Sequence, residues 1–405
     1  MRECDLLAAI LIFAATYLVL AVGRLPGLRL DRTGAAIVGA SLMLAFNVLT
    51  VDEAFAAVNY DTIILLFGMM IVVANLRLSG FFALASAWVV DHAHGPIVLL
   101  SGIVAVAGIF SAFFVNDTMC LVLTPLVLDI TRRLGRKPIP YLLAVAMGAN
   151  IGSVATVTGN PQNMMIGSFS RIPYRTFTAA LAPVAAVGLV LTVVVIALVY
   201  RAEFRGAPAL RVEHRPVRVN RVLLYKSLAV SAGMIVFFFA GWPVPKVALI
   251  AGALLLLTRR VKPEKVYREI DWSLLVLFIG LFIVIAGVEK TPLPADLFAA
   301  AGRFHIERVV PMSIFAALLS NLVSNVPAVL VFKTFVPHLA DPVKAWLTLA
   351  MSSTLAGNLT LLGSVANLIV VQRARAEVEI TFWEHARAGV PLTILTLAAG
   401  VWMLN

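Results

Sequence analysis

The sequence has little charge and almost no cysteine. Charged residues make up 13% of its 405 residues, whereas 61% are hydrophobic. Soluble globular proteins have about 25% charged and about 45–50% apolar residues, so a water-soluble enzyme is excluded. At about 20 residues per span, the chain has room for roughly ten to twelve membrane-embedded helices. Length and composition therefore predict an all-α polytopic membrane protein of the size of a transporter.

Motifs of catalysis and metal binding are also missing. The two cysteines, Cys4 and Cys120, lie too far apart to predict a disulfide framework or a metal-binding motif. Neither a His-Glu-x-x-His pair nor a Gly-x-Ser-x-Gly elbow is present, which argues against a membrane-embedded enzyme. We expect no catalytic residue, no metal site and no cofactor.

Positive charge exceeds negative charge, with 32 Lys and Arg against 21 Asp and Glu. The basic residues lie between apolar segments and do not cluster with aromatic residues. They are therefore interpreted as topology signals, and nucleic acid is not an expected partner.

Eight apolar runs are long enough to cross a bilayer, some with little to spare. They lie at residues 6–23, 34–51, 61–76, 177–200, 222–241, 244–259, 271–289 and 386–404. The first run follows no strongly positive segment and precedes no small-residue cleavage site. It is predicted to be a retained helix and not a signal peptide.

Four further apolar regions, at 96–131, 140–170, 309–338 and 343–375, are interrupted by polar residues, Gly and Pro. Such breaks need a neighbour other than lipid. Basic loops at 24–32, 132–137, 201–221 and 259–268 indicate the cytoplasmic side. Segment 96–131 must then enter and leave on one side, which predicts a re-entrant hairpin with its tip at residues 115–118. The alternative is a pair of full spans joined by a polar turn.

The Arg-rich segment 201–221 is predicted to be a cytoplasmic linker between two halves. The N-terminal repeat, 1–200, would contain scaffold helices over 6–91, a hairpin over 96–131, a broken helix over 140–170 and a helix over 177–200. The C-terminal repeat, 222–405, would contain a hairpin over 309–338 and a broken helix over 343–375. The expected location is the inner (plasma) membrane.

Three polar patterns recur in both halves in the same order. Residues 61–68 parallel 271–278, an offset of 210 positions. Ser111 and Asn116 recur as Ser320 and Asn325, at 209 positions, and the pattern Thr156, Gly159 and Asn163 recurs 204 positions later. When the spans are threaded through both halves, the repeats have opposite orientations. The sequence thus predicts two inverted repeats, each with a re-entrant helical hairpin and a broken transmembrane helix.

The hairpin tips and the helix breaks are the places where backbone groups and half-helix ends can bind ions and small solutes. The candidate substrate- and ion-binding residues are Ser111, Asn116, Asp117, Thr118, Thr156, Thr158, Gly159, Asn160, Asn163, Ser320, Ser324, Asn325, Asn358, Thr360, Gly363, Ser364 and Asn367. Amides and hydroxyls dominate this set. They can bind an anion, a neutral oxyacid or a cation with little fixed charge.

Asp117 is the only acid in that set. A carboxylate at a membrane hairpin tip costs a few kcal/mol unless it is paired, hydrated or protonated, which favours a proton or cation site. The alternative is an N-cap of the second hairpin arm, because Asp is favoured just before a helix.

Three segments resemble a known superfamily. They are FFVNDTMCLVLTPLVLDI at 113–130, TGNPQNMMIG at 158–167 and GNLTLLGSVANLIV at 357–370. They resemble the ion-transporter superfamily of arsenite permeases of the ArsB type, NhaD-type sodium/proton antiporters and divalent-anion/sodium symporters. The resemblance implies scaffold and transport domains that move relative to each other, a homodimer and, for the arsenite-permease branch, a soluble ATPase partner.

The tip residues distinguish the branches. Dicarboxylate symporters carry Ser-Asn-Thr at both tips, whereas this chain has Val115-Asn116-Asp117 and Ser324-Asn325-Val326. The added acid resembles the arsenite-permease branch. The sequence therefore favours a secondary transporter of arsenite, antimonite or a related small oxyanion, driven by exchange with protons. The alternatives are a sodium/proton antiporter, a sodium-coupled dicarboxylate or sulfate symporter, and a passive channel.

Overall fold

The computed structural model describes residues 3–22, 30–205, 218–259, 261–293, 295, 299 and 302–405, and these residues contain helices and no strands. The helices of the first half are α1 Glu3–Val22, α2 Arg32–Ala45, α3 Val51–Ala57, α4 Tyr60–Ser79, α5 Phe81–His92, α6 Pro96–Phe114, α7 Asn116–Arg133, α8 Pro138–Ser153, α9 Pro161–Ser170, α10 Tyr174–Val199 and α11 Arg201–Phe204.

The second half repeats this order. Its helices are α12 Arg221–Phe239, α13 Val244–Leu256, α14 Pro263–Tyr267, α15 Trp272–Glu289, α16 Val309–Val323, α17 Asn325–Lys333, α18 Pro342–Ala356, α19 Val365–Ala374 and α20 Phe382–Leu404, with short 3-10 helices at Val336–His338 and Leu361–Gly363. Residues 206–217 of the predicted linker, and Arg24 and Arg29 of the first basic loop, lie outside the described residues.

Among the described helices, α4, α6, α10, α12, α15 and α20 are long and apolar enough to cross a membrane. Two runs predicted to be full spans, 34–51 and 244–259, form shorter helices. α2 has 14 residues and α13 has 13. At 1.5 Å per residue these two helices extend only about 20 Å, less than the roughly 30 Å of a bilayer core. The shortening occurs at equivalent places in the two halves.

Large apolar side chains cover the outside of the protein. Val190 and Leu198 of α10 are more than half exposed, and Trp383 and Trp402 mark the two ends of α20 with exposures of 74% and 81%. Tryptophan is typical of the two membrane interfaces, and an apolar exterior of this kind requires lipid. The chain is a multi-pass membrane protein.

Two close helix contacts relate the halves by a pseudo-two-fold axis. A Cβ atom on Gly68 of α4 would lie 2.6 Å from the backbone carbon of Ala248 in α13. A Cβ atom on Gly280 of α15 would lie 2.8 Å from the backbone carbon of Ala36 in α2. Both members of the second pair lie 212 positions from their counterparts in the first. Each half therefore packs its own helix against the other half in the same way.

Two ion pairs give the relative direction of the equivalent helices α4 and α15. Arg77, near the end of α4, pairs with Glu269, just before α15 begins. Glu53, just before α4, pairs with Lys290, just after α15 ends, at 2.6 Å. Because Lys290 and then the backbone of Thr50 donate hydrogen bonds to it, the pKa of Glu53 is lowered to about 2. The two helices run antiparallel, which confirms the inverted repeat.

The structure corrects one of the three sequence matches. Asp61 was matched to Asp271, but Asp271 caps α15 by accepting a hydrogen bond from Leu274 N, and the residue that caps α4 in the same way is Asn59. The offset here is 212 and not 210 positions. Residues 61 and 271 match in sequence because both are Asp. A helix cap needs only an oxygen acceptor, which Asn and Asp both provide, so Asn59 is the structural equivalent of Asp271.

Both hairpins are present, and each turns at a single residue. Val115 separates α6 from α7 with φ 64°, and Ser324 separates α16 from α17 with φ 77°. The first tip is therefore shorter than predicted, since Asp117 and Thr118 already belong to α7. A positive φ at the β-branched Val115 costs on the order of 1–3 kcal/mol, and strain of this kind is concentrated at functional sites.

We expect Gly152→Ala to destabilise the protein strongly and Gly148→Ala to be tolerated. A Cβ atom on Gly152 would lie 2.1 Å from the Gly108 carbonyl oxygen of α6, whereas on Gly148, one turn earlier, the nearest atom would be 3.4 Å away. Overpacking costs roughly 1–3 kcal/mol or more, while Ala in place of a helical Gly can gain up to about 1 kcal/mol. Thermal unfolding in detergent measures both, and equal melting temperatures would contradict this reading of the α6–α8 contact.

Candidate functional site

Each helix break is tied together by an asparagine on its second half-helix. Asn163 Nδ2 donates to the carbonyl oxygens of Ser153 (3.1 Å) and Thr156 (3.0 Å). Asn367 Nδ2 donates to the carbonyl oxygens of Gly357 (2.8 Å) and Thr360 (3.1 Å). All these positions correspond at an offset of 204. Because unpaired carbonyl groups in a membrane are costly, these side chains stabilise the break itself.

The two breaks also bind each other across the pseudo-two-fold axis. Asn160 Nδ2 donates to Thr354 Oγ1 at 3.2 Å, and Ser364 Oγ donates to Asn150 Oδ1 at 3.0 Å. Asn150 and Thr354 are equivalent, as are Asn160 and Ser364, so one hydrogen bond is the symmetry mate of the other. Half-helices of both repeats are thus held at one place in the protein interior.

Asn150 is the centre of this network. Its Oδ1 accepts from Asn116 Nδ2 (3.0 Å) as well as from Ser364. Its Nδ2 donates to Asn358 Oδ1 (2.8 Å) and Asn367 Oδ1 (3.1 Å). The four bonds use the full capacity of an amide side chain. Sequence reasoning missed Asn150, although a polar residue at both 150 and 354, within the repeat, was a signal for it.

A small cavity of about 60 Å³ lies between the breaks, the tips and the scaffold helices. Its scaffold side consists of Leu20 from α1, Arg32 from α2, and Leu274 and Leu277 from α15. Its other side consists of residues from both hairpin tips and both breaks: Asn116, Asp117, Pro161, Gln162, Val323, Ser324, Asn325, Val326, Pro327, Ser364 and Val365. One water needs about 10–15 Å³ of such space, so the cavity suits a solute of a few heavy atoms.

Four helices that start at the tips and breaks begin at this cavity, in addition to α2. They are α7, α9, α17 and α19, whose first residues are among those that line it. A helix N-terminus carries about half a positive elementary charge and free N–H groups, and it favours negative charge. With two N-termini from each repeat, the backbone alone makes the cavity a binding place for oxygen atoms with negative charge.

Two polar atoms near the first tip have no partner among the described residues. They are Oδ1 of Asn116, which is 3% exposed, and Oγ of Ser111, which is fully buried. Ser320, the counterpart of Ser111 in the second repeat, instead donates a hydrogen bond to the carbonyl oxygen of Ser353 at 3.0 Å. Because buried acceptors without partners are rare, the free Asn116 oxygen at the cavity is a candidate contact for a donor on a solute.

Asp117 is the second residue of α7, which is the second arm of the first hairpin, and it is not the N-cap of this helix. Val115 occupies the cap position, and the cap makes no side-chain hydrogen bond. No ion pair involving Asp117 occurs in the described part of the chain, and Asp117 is the only acid that lines the cavity. The positive end of the α7 dipole favours a carboxylate at this place.

The candidate residues as a whole fall into two groups. Those that line the cavity are Asn116, Asp117, Ser324, Asn325 and Ser364. Those that lie behind it, within the hydrogen-bonded framework or beside it, are Ser111, Thr118, Thr156, Thr158, Gly159, Asn160, Asn163, Ser320, Asn358, Thr360, Gly363 and Asn367. Thr158, for example, bonds the hydroxyl of Tyr174 at 3.0 Å, and Thr360 donates to Asn321 Oδ1 at 3.1 Å.

Besides Asn150, two charged or titratable residues outside the candidate set lie at the site. Arg32, which the sequence suggested only as a topology signal, is the single cation among the residues that line the cavity. His385 of α20, which is 1% exposed, has Nε2 3.0 Å from the carbonyl oxygen of Asn358. No local signal marks either one, since one lies at the start of an apolar helix and the other within one.

Comparison with known proteins agrees with this architecture. Residues 10–356 match the model of the citrate transporter family, CitMHS. The chain belongs to this family. The resemblance to the ion-transporter superfamily is thereby confirmed, and this CitMHS protein is a membrane transporter and not an enzyme.

Relatives of this CitMHS protein match along nearly their whole length. It is 30% identical to the silicon efflux transporter LSI3 of Oryza sativa subsp. japonica, with 97% of this chain and 96% of the relative covered. It is 24% identical to the putative transporter arsB of Dictyostelium discoideum, with 98% and 91% covered. The crystal structure of the Alcanivorax borkumensis YdaH transporter, described as having an unusual topology, shares the fold with a TM-score of 0.64 at 15% identity, covering 99% of this chain and 97% of that one.

Proposed function

We propose that this protein is a secondary active transporter of arsenite, antimonite or a related small oxyanion, coupled to protons by exchange. The observation that carries the proposal is the cavity, where four helix N-termini and one carboxylate meet between two inverted repeats. N–H groups and amides bind the oxygens of the cargo, and Asp117 binds the proton. The relatives named for silicon efflux and arsB support a cargo of the hydroxylated oxyacid type.

The inverted repeat supplies the alternation of access. Arg32, Leu274 and Leu277 belong to the first two turns of α2 and α15, so the cavity lies toward the end of the protein that carries Arg77 and Glu269. We propose that this end is cytoplasmic, in an inner (plasma) membrane, because the basic loops accumulate there. Movement of the tips and breaks against α1, α2 and α15 would carry the cavity toward the other end.

A sodium-coupled carboxylate symporter is the second candidate. The family name, the Arg32 cation and the helix N-termini at the cavity favour carboxylate binding. The cavity volume of about 60 Å³ favours the smaller oxyacid, since citrate is too large for a space of a few water molecules.

We expect arsenite or antimonite flux in proteoliposomes to follow an imposed pH gradient and to persist without sodium. The physical reason is that the single acid at the cavity can bind a proton, while sodium needs several oxygen ligands. The measurement is a panel of arsenite, antimonite, sulfate, succinate and citrate under separate pH and sodium gradients. Strict sodium dependence, or flux of carboxylates alone, would select the symporter instead.

A further inference from the structure

Arg32 lies where neither the helix nor the fold requires a cation. It is the first residue of α2, after the N-cap Asp31, whose side chain accepts a hydrogen bond from Gly34 N. A positive charge at a helix N-terminus is unfavourable, because it adds to the positive end of the helix dipole. The equivalent position in the second repeat, 212 residues later, is Val244. The fold therefore forms this helix start without a charge at its first residue.

Arg32 is also partly buried. It borders the cavity, and it forms no ion pair within the part of the chain that the structure describes. Taking an arginine out of water without a carboxylate is costly. Both charges at the cavity, Arg32 and Asp117, come from the first repeat, since the counterpart of Asp117 is Val326.

We propose, on the basis of the proposed function, that Arg32 is a specificity-determining residue that makes the cavity prefer an oxyanion over a neutral molecule of the same shape. A guanidinium presents parallel N–H donors that match two oxygens of one oxyanion. It acts together with the four helix N-termini, which favour the same charge. These positive groups outnumber Asp117, the one carboxylate that lines the cavity, so the balance of charge favours an anion.

If Arg32 served only to set the membrane topology, it would not need to line the cavity. Arg221 occupies the same local place at the start of α12, directly after the N-cap Asn220, and it is exposed and does not line the cavity. Positive charge near a membrane interface acts on insertion wherever it is exposed. Arg221 is therefore a matched control for the local helix position, the residue type and the net charge.

The experiment compares formate with formamide, which have the same shape and differ in charge. The full chain is purified in detergent, and thermal unfolding is followed at increasing concentrations of each compound, since a ligand of the folded state raises the melting temperature. We expect the wild type to bind formate about tenfold or more tightly than formamide, as a charge-assisted hydrogen bond would give.

Arg32→Gln should reduce this preference to about onefold, Arg32→Lys should keep part of it, and Arg221→Gln should leave it unchanged. If Arg32→Gln fails to fold, the comparison of Arg32→Lys with Arg221→Gln carries the test, because Lys keeps the charge and loses the paired donors. A wild type without preference for formate, or a preference that survives at Arg32→Gln or stays full at Arg32→Lys, would overturn the proposal.

The outcome is separable from that of the proposed cargo. If formate is selected through Arg32 but neither arsenite nor antimonite is moved, only the choice of cargo is wrong. If arsenite is moved and Arg32→Gln keeps the preference for formate, the proposed function stands and the role of Arg32 is wrong.

Discussion

Asp117→Asn is expected to abolish the accumulation of arsenite that an imposed pH gradient drives, while exchange of arsenite between equal pools continues. The amide keeps the shape of the side chain and its hydrogen bonds to cargo, but it cannot bind a proton. Loss of the charge near the start of α7 should cost only about 0.3–1 kcal/mol of stability. Accumulation and exchange are measured in proteoliposomes with and without the gradient.

Asp129→Asn is the matched control for this variant. Asp129 lies on the same helix, but it is partly exposed and pairs with Arg133 one turn later. Its loss should leave accumulation unchanged, since an exposed pair contributes little. Full gradient-driven accumulation with an unshifted pH profile in Asp117→Asn would contradict the assignment. The coupling ion would then have to bind elsewhere, with Ser111, Asn116, Ser320 and Asn325 as the next candidates for a cation cage.

Asn150→Ala is expected to have the largest effect on both stability and transport. The change removes four hydrogen bonds. Buried polar atoms at the first hairpin tip and at the second break lose the partner that Asn150 provided. Each buried orphan costs about 1–3 kcal/mol, so we expect a loss of roughly 3 kcal/mol or more. We also expect no measurable flux, because the side chain of Asn116 at the first tip loses its hydrogen bond to the first broken helix. Thermal unfolding in detergent and arsenite flux measure the two effects.

Asn75→Ala controls for the general cost of removing a buried asparagine. Asn75 on α4 is fully buried, and its side chain makes one hydrogen bond, to the carbonyl oxygen of Ile71 at 2.9 Å. Its replacement should cost much less than that of Asn150 and should leave flux intact. Equal losses of stability in the two variants, with flux retained in both, would show that Asn150 does not organise the site.

The amino-acid sequence determined the class of fold and the location of its unusual parts. Polar residues are costly inside a membrane, so Asn116, Asn163, Asn325 and Asn367 stand out in an apolar chain and mark the tips and breaks. Basic loops predicted that the first hairpin turns back, and the structure confirms hairpins and broken helices in both repeats.

Only the tertiary structure decided which of these polar residues face the cavity and which hold the framework together. The sequence treated Asn163 and Asn325 alike, yet one bonds backbone carbonyls and the other lines the cavity. Its only signal for Asn150 was the recurrence of a polar residue at position 354, and it contained none for Arg32. Partners of Asn150 lie up to 217 positions away, and Arg32 lines the cavity only because α2 packs on the other repeat. Local pattern fixes where a polar group lies along a helix, whereas its hydrogen-bond partner depends on packing between segments that are distant in sequence.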